Sequence, residues 1–201
     1  TMLTGALDEL SVTINDIGLI CVTQGPGSFT GVRAAMATAQ GLAQATGAPL
    51  AGLHTLRCLA MSAPAGAGRV VAVSSARKGA VYAALYQLTQ SGPVEVSGPE
   101  EMPSASLGLI NERPLHLIGE GFEKESGAIL ERAGEGAMVL QPAISVAAAA
   151  AMIGGQELMN GKLFTQSPGP EYVGQPQAVA VKGGSINHQP LSGGQHDRQI
   201  H

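Results

Sequence analysis

Apolar positions change their period several times along the chain, and each change marks an element. From Ile17 to Val22 they run almost unbroken, as in a buried strand, and they stop at the turn Gly25-Pro26-Gly27. From Phe29 to Thr46 the spacing is three and four. Phe29, Val32, Met36, Ala39 and Ala43 fall on one side, which predicts a helix packed on a sheet. Ser28 or Thr30 can cap its start, and Gly47 just before Ala48-Pro49 supplies its stop. Leu50 to Leu53 is apolar again. Strand, crossover helix and strand together predict a parallel pair in an α/β sheet. A second stripe on the same helix, Ala34, Ala37, Gly41 and Ala45, has no large side chain, so another helix could approach its backbone closely. That other helix belongs either to this chain or to a second one.

The remaining pattern extends the α/β reading. Leu3, Leu7 and Leu10 share a face of a helix over Thr1 to Leu10, and Thr55 to Ser62 reads as a short helix with Leu56, Leu59 and Ala60 inward. Ala63-Pro64-Ala65-Gly66-Ala67-Gly68 has the composition of a linker and is the expected lobe boundary. Val70 to Val73 and Ala80 to Leu88 predict a hairpin across Ser74 to Gly79. Val81, Ala83 and Leu85 form its buried face, and the face with Tyr82 and Tyr86 is expected to be half-buried. A turn-rich stretch from Gly92 to Pro103 leaves room for an edge strand at Val94 to Val96. Then come a strand at Leu115 to Ile118, a helix over Phe122 to Ala133, and an alanine-rich helix over Ala143 to Met152 that Gly154-Gly155 should end or loosen. From Lys182 onward Gly, Gln, His and Ser dominate without period, predicting a disordered tail.

Composition narrows the function classes. The chain has 201 residues, enough for one large domain or two small lobes, and aromatic residues make up only 3% of it, so the core must be built from Ala, Val, Leu, Ile and Met. A net charge of -4 with no run of Lys and Arg argues against this chain gripping a nucleic-acid backbone by itself. Cys21 and Cys58 lie in apolar surroundings without CxxC spacing and read as buried thiols of a reducing cytosol, with a catalytic thiol as the weaker alternative. Neither a membrane span nor a signal peptide is indicated.

The chemistry offered is sparse. A glycine-rich turn leading into a helix can cradle a phosphate, which would make Gly25, Gly27, Ser28 and Thr30 a nucleotide site. No P-loop or Gly-x-Gly-x-x-Gly spacing is present, Pro26 removes an amide, and Arg33 lies a full turn into the helix, so a turn that only reverses the chain is the stronger reading. His54, His116, His188, His196 and His201 have no metal-binding spacing, and Gly27-Ser28-Phe29-Thr30-Gly31 is not a nucleophile elbow.

Gly25-Pro26-Gly27-Ser28-Phe29-Thr30-Gly31-Val32-Arg33, then Ala37-Thr38-Ala39-Gln40-Gly41-Leu42-Ala43, Pro49-Leu50-Ala51-Gly52-Leu53 and Thr55-Leu56 resemble the signature of the bacterial TsaB (YeaZ) family. The resemblance implies an actin-like, Hsp70-like ATPase (ASKHA) fold of two α/β lobes that has lost catalytic power; no cofactor is expected and, from the histidine spacing, no metal. It also implies that the chain partners TsaD and the ATPase TsaE, which install threonylcarbamoyl on the adenosine beside the anticodon of tRNA, and that it meets tRNA only through that complex. In the family the first two helices of the amino-terminal lobe pack as a bundle with TsaD or with a second copy. Here that surface would comprise Leu3, Leu7, Arg33, Ala34, Ala37, Gln40, Gly41 and Gln44.

Family proteins begin with a β-hairpin to which nothing here corresponds, so the resemblance implies an amino-terminal lobe over 1–62 lacking that hairpin, a carboxy-terminal lobe over 69–178 and a tail over 182–201. The hairpin near Arg77-Lys78-Gly79 resembles its family counterpart, except that Ser75 and Ala80 stand where the family has Asp and Glu. This loss of carboxylate weakens any hydrolytic reading. Gly119-Glu120-Gly121 is similar to the family's Gly-x-Gly, and Pro168-Gly169-Pro170-Glu171-Tyr172 to its closing motif, with Gly174 in place of an arginine. A cytoplasmic, non-catalytic docking subunit is the expectation. The alternative is a nucleotide-binding hydrolase or glycoprotease-like peptidase acting alone.

Overall fold

The structure, a computed structural model, describes residues 2–164 and 168–170. Tyr172, Gly174, the three histidines after position 182 and the stretch 182–201 therefore lie outside the described residues.

Two strands, β1 (Ile20–Gly25) and β2 (Leu50–His54), pair in parallel from Ile20 opposite Leu50 onward. β1 starts three residues later than the apolar run, because the ladder begins only where the Ile20 amide reaches the Pro49 carbonyl, at 3.0 Å. Helix α2 (Phe29–Thr46) joins them as expected. The Ser28 hydroxyl accepts from the Gly31 amide, and Gly47 ends the helix at φ 73°, a left-handed position open to glycine. Ile20, Val22 and Leu50 meet Met36, Ala39 and Ala43 on this side of the sheet. Phe29 departs from the predicted stripe. It stands at the first helical position, beyond the edge of the strands, and is 55% exposed with the Arg33 guanidinium over its ring at 4.1 Å.

The second sheet has five strands in the order β5-β4-β3-β6-β7, with β3 at Arg69–Ser75, β4 at Ala80–Thr89, β5 at Gly92–Pro103, β6 at His116–Gly119 and β7 at Met138–Val139. β5 runs the whole of the turn-rich stretch rather than only Val94 to Val96. Its prolines are tolerated because β5 is an edge strand, where a missing amide on the open side breaks no ladder bond. Tyr86, expected to be half-buried, is 1% exposed, because helix α3 (Thr55–Met61) covers that face with Leu56, Leu59 and Ala60. Helix α4 is shorter than its spacing suggests, Ser126–Ala133, and seals the opposite face through Ile129 and Ala133. Helix α1 (Met2–Leu10) leaves Leu3 and Leu10 on the surface and Leu7 half-buried.

The last helix, α5 (Val146–Met159), begins behind a Ser145 cap and runs straight through Gly154-Gly155. It packs against α3 and the face of β1–β2 away from α2, where Ala149, Ala150 and Ile153 meet Leu53 of β2 and Cys58 of α3, while Val146 at its start reaches the core of the second sheet. Gly154 explains the continuity. A Cβ there would collide with Cys21 Sγ and lie 3.3 Å from Leu19 Cδ2, so the residue serves close approach rather than helix termination. A tie between helices backs this packing, since Glu157 bonds both Arg57 on α3 and, at 2.7 Å, Lys162.

Candidate functional site

One candidate surface is the outward side of α2. Met36, Ala39 and Ala43 occupy the helix's inner side, so a period of 3.6 turns Ala34, Ala37, Gly41 and Ala45 outward, and all four are exposed. A side chain added at Gly41 would meet nothing within 4 Å, so the backbone there is bare. Arg33 and Gln44, also exposed, and half-buried Gln40 flank the stripe, while Leu3 and Leu7 lie apart from it in sequence, on α1. The structure thus places six of the eight predicted docking residues on α2, with Ala34, Ala37 and Gly41 in the bare strip and Arg33, Gln40 and Gln44 beside it. Phe29, read from its spacing as core, belongs to the outer surface through its stack with Arg33. Its place at the helix's first turn is the sequence signal that could have shown this.

The second candidate is where the glycine turns meet. Gly25, buried at φ 121°, leads into Gly27, whose missing side chain leaves Ser74 Oγ 3.8 Å from the Cβ position. Gly121, at φ 97°, comes closer still to the neighbouring Ser75, with 2.7 Å between its Cβ position and Ser75 Oγ. Two turns therefore converge on the hydroxyls at the end of β3. The helix-start amides that an anion would need are partly engaged. The Gly31 amide donates to Ser28 Oγ at 3.3 Å and the Val32 amide to the Ser28 carbonyl at 2.8 Å, while Ser28 and Thr30 are exposed. The Gly121 amide donates to Glu123 Oε1 at 2.9 Å, and that bond, with a second from the residue's own amide, holds the Glu123 carboxyl below its ordinary value. At Gly121, then, the chain's own carboxylate already takes an amide that an anionic ligand could use.

Neither thiol is poised as a nucleophile. Burial pushes Cys58 up to about 12, and burial followed by the nearby Glu157 charge pushes Cys21 up as well, both opposite to the direction that yields a reactive thiolate. Arg77 at the hairpin tip pairs with Glu101 at 2.7 Å. Among the described residues no three His, Cys, Asp or Glu side chains are grouped to hold a metal ion, and no helix is long and apolar enough to cross a membrane.

Comparison with known proteins places this geometry. The chain is 37% identical to the tRNA threonylcarbamoyladenosine biosynthesis protein TsaB of Escherichia coli over 71% of its own length and 65% of that protein's. Against TsaB of Bacillus subtilis the identity is 32%, over 56% of the chain and 51% of the relative. The solved structure of YeaZ from Pseudomonas aeruginosa superposes with a TM-score of 0.69 at 28% identity, covering 86% of this chain and 81% of that one. The chain belongs to the TsaB (YeaZ) family. The family description TsaD, tRNA N6-adenosine threonylcarbamoyltransferase, matches residues 1–100, which contain α2 and the first glycine turn, and the mixed α/β fold agrees with that ASKHA-like relationship. The chain spans about two thirds of the length of the Escherichia coli protein and half of the Bacillus subtilis one.

Proposed function

We propose that this chain is a non-catalytic docking subunit of the machinery that makes threonylcarbamoyladenosine on tRNA, and that the outer face of α2 binds and stabilises a TsaD-type partner, or a second copy of the chain when that partner is absent. The observation that carries the reading is a helix whose inner side is sealed on its own sheet while Ala34, Ala37, Gly41 and Ala45 stay bare outside. Small residues let two helix backbones approach to the short end of the usual packing distance, which rewards a shaped partner more than a greasy one. In this reading a TsaE-type ATPase joins the assembly, tRNA is met through the complex, and the chain works in the cytoplasm. The catalytic role falls to the partner, since the cleft end of β3 carries Ser74 and Ser75 rather than a carboxylate and the Gly121 amide is already capped by Glu123.

Ala37→Trp and Gly41→Leu test this, because both positions open to solvent and tolerate a larger side chain within the monomer. Co-purification with a TsaD-type partner, and self-association on gel filtration, should be lost with the far-UV dichroism intact. Unchanged co-purification and elution volume would refute the docking role of this face.

A further inference from the structure

A piece of the carboxy-terminal chain rests on the amino-terminal sheet. Ile20, Val22 and Leu50 are covered by α2, and the next positions on that same face, Gln24 and Gly52, lie beyond the helix's inner residues. Pro168 and the Gln24 side chain share this gap. A Cβ on Gly52 would run into the Gln24 amide oxygen and come within 2.7 Å of Pro168 Cβ, so the missing side chain leaves the seat in which the proline ring lies beside Gln24. The Pro168 carbonyl then accepts from Gln40 Nε2 at 3.2 Å, a bond between residues 128 apart in sequence. Gln40 stands beside Ala37, Gly41 and Gln44 on α2. Pro168 is half-buried, while Gly169 and Pro170 are exposed.

We infer that Pro168-Gly169-Pro170 is an intramolecular strap, seated in the Gly52 recess and fastened to Gln40, that holds α2 on its sheet and so keeps the helix's outer face in a docking-ready position. The chemistry suits a strap. Proline has little backbone freedom to lose on seating and its ring fits a flat sheet site left by glycine, while its carbonyl needs only one donor from the helix. The inner side of α2 offers three buried residues, none larger than Met36, so a contact fastened to its middle adds a meaningful share of its anchorage. The link to docking rests on the proposed function. The strap itself does not.

Hydrogen exchange on the full chain tests the strap. Pro168→Gly removes the ring without touching α2 or the sheet, and Gly52→Val puts a side chain into the seat. Both should speed exchange of α2 amides from Met36 to Thr46 about fivefold, the population change that follows loss of one net hydrogen bond once the unseated segment no longer holds the residue 168 carbonyl at Gln40, with α4 amides in the other sheet layer unchanged. Wild-type α2 exchange in Pro168→Gly overturns the inference, and this variant decides the matter should Gly52→Val fail to fold. Co-purification with a TsaD-type partner is the second arm. Failure of the wild-type chain to bind would refute the docking reading and leave the exchange result standing. Binding by wild type with weakened binding by Pro168→Gly supports the coupling, and equal binding with altered exchange removes the link between strap and docking.

Discussion

Two adjacent glycines in α5 should respond to the same mutation with opposite sign. Gly154 and Gly155 both lie inside the helix, so replacing either with Ala removes the same helix penalty, about 0.5–1 kcal/mol. Beyond that common gain their surroundings differ. A Cβ at Gly155 meets nothing within 4 Å, whereas at Gly154 it collides with Cys21 Sγ and sits 3.3 Å from Leu19 Cδ2 and 3.6 Å from Ala51 Cβ. Forcing a methyl into such a packed contact costs about 1–3 kcal/mol. Gly155→Ala should therefore stabilise the chain by about 0.5–1 kcal/mol, while Gly154→Ala should be neutral to destabilising by about 2 kcal/mol. The difference between the two variants isolates the clash, since the propensity gain cancels. Urea unfolding followed by far-UV dichroism measures both. Cys21→Ala removes the sulfur and should return much of the loss when combined with Gly154→Ala. Equal stabilisation by the two alanines would refute the close approach of α5 to β1 and with it the packing of this helix on the first sheet.

Two further outcomes follow from the same packing. Arg57→Ala should cost about 1 kcal/mol at neutral pH, a value kept small because Arg57 is 32% exposed. Burial raises the Glu157 pKa, but hydrogen bonds from Lys162 and Arg57 outweigh it and hold the group low, so its stabilisation is present above the unfolded value and lost as pH falls through the folded one. The gap between wild type and Arg57→Ala in urea midpoints should then shrink below about pH 4.3, and a gap that widens on acidification would contradict the tie. Gly119→Ala should cost at least about 3 kcal/mol, because φ is 125° and the new methyl would run into the Val73 carbonyl. A soluble Gly119→Ala chain with an unchanged thermal midpoint would contradict this turn geometry.

What the sequence revealed and what it hid divide along a physical line. β1, α2 and β2 were legible because their signals are local: the Ser28 cap accepts from an amide only three residues on, Gly47 stops the helix where it stands, and the inner stripe follows a fixed period. The bare outer stripe was legible for the same reason. Gly154 misled because its purpose lies with Cys21, on a strand far away in sequence, and a glycine chosen for close approach looks like one chosen to end a helix. Pro93, Pro99 and Pro103 suggested loop because a proline's cost in a strand depends on whether the strand has a neighbour on that side, a property of the sheet and not of the segment. Tyr86 looked half-exposed because alternation along β4 shows two faces without showing that α3 covers the second. The Gly52 seat for Pro168 was invisible for want of any local pattern linking the two.

The first sheet is approached on both faces through positions without side chains, Gly52 beneath Pro168 on the α2 side and Gly154 of α5 against Cys21 on the other. Contact there comes from backbone proximity more than from side-chain bulk, and the core on the α2 side consists of Val22, Leu50, Met36, Ala39 and Ala43 with Ile20 beside them. A small core leaves little reserve, so any ligand that binds only the folded helix contributes to its stability by mass action, about 2.7 kcal/mol at a hundred times its Kd. The outward stripe of small residues gives a partner the means to do this without exposing large apolar side chains before it arrives. A helix weakly anchored within and bare outside would thus make binding of the proposed partner and lobe order a single linked equilibrium.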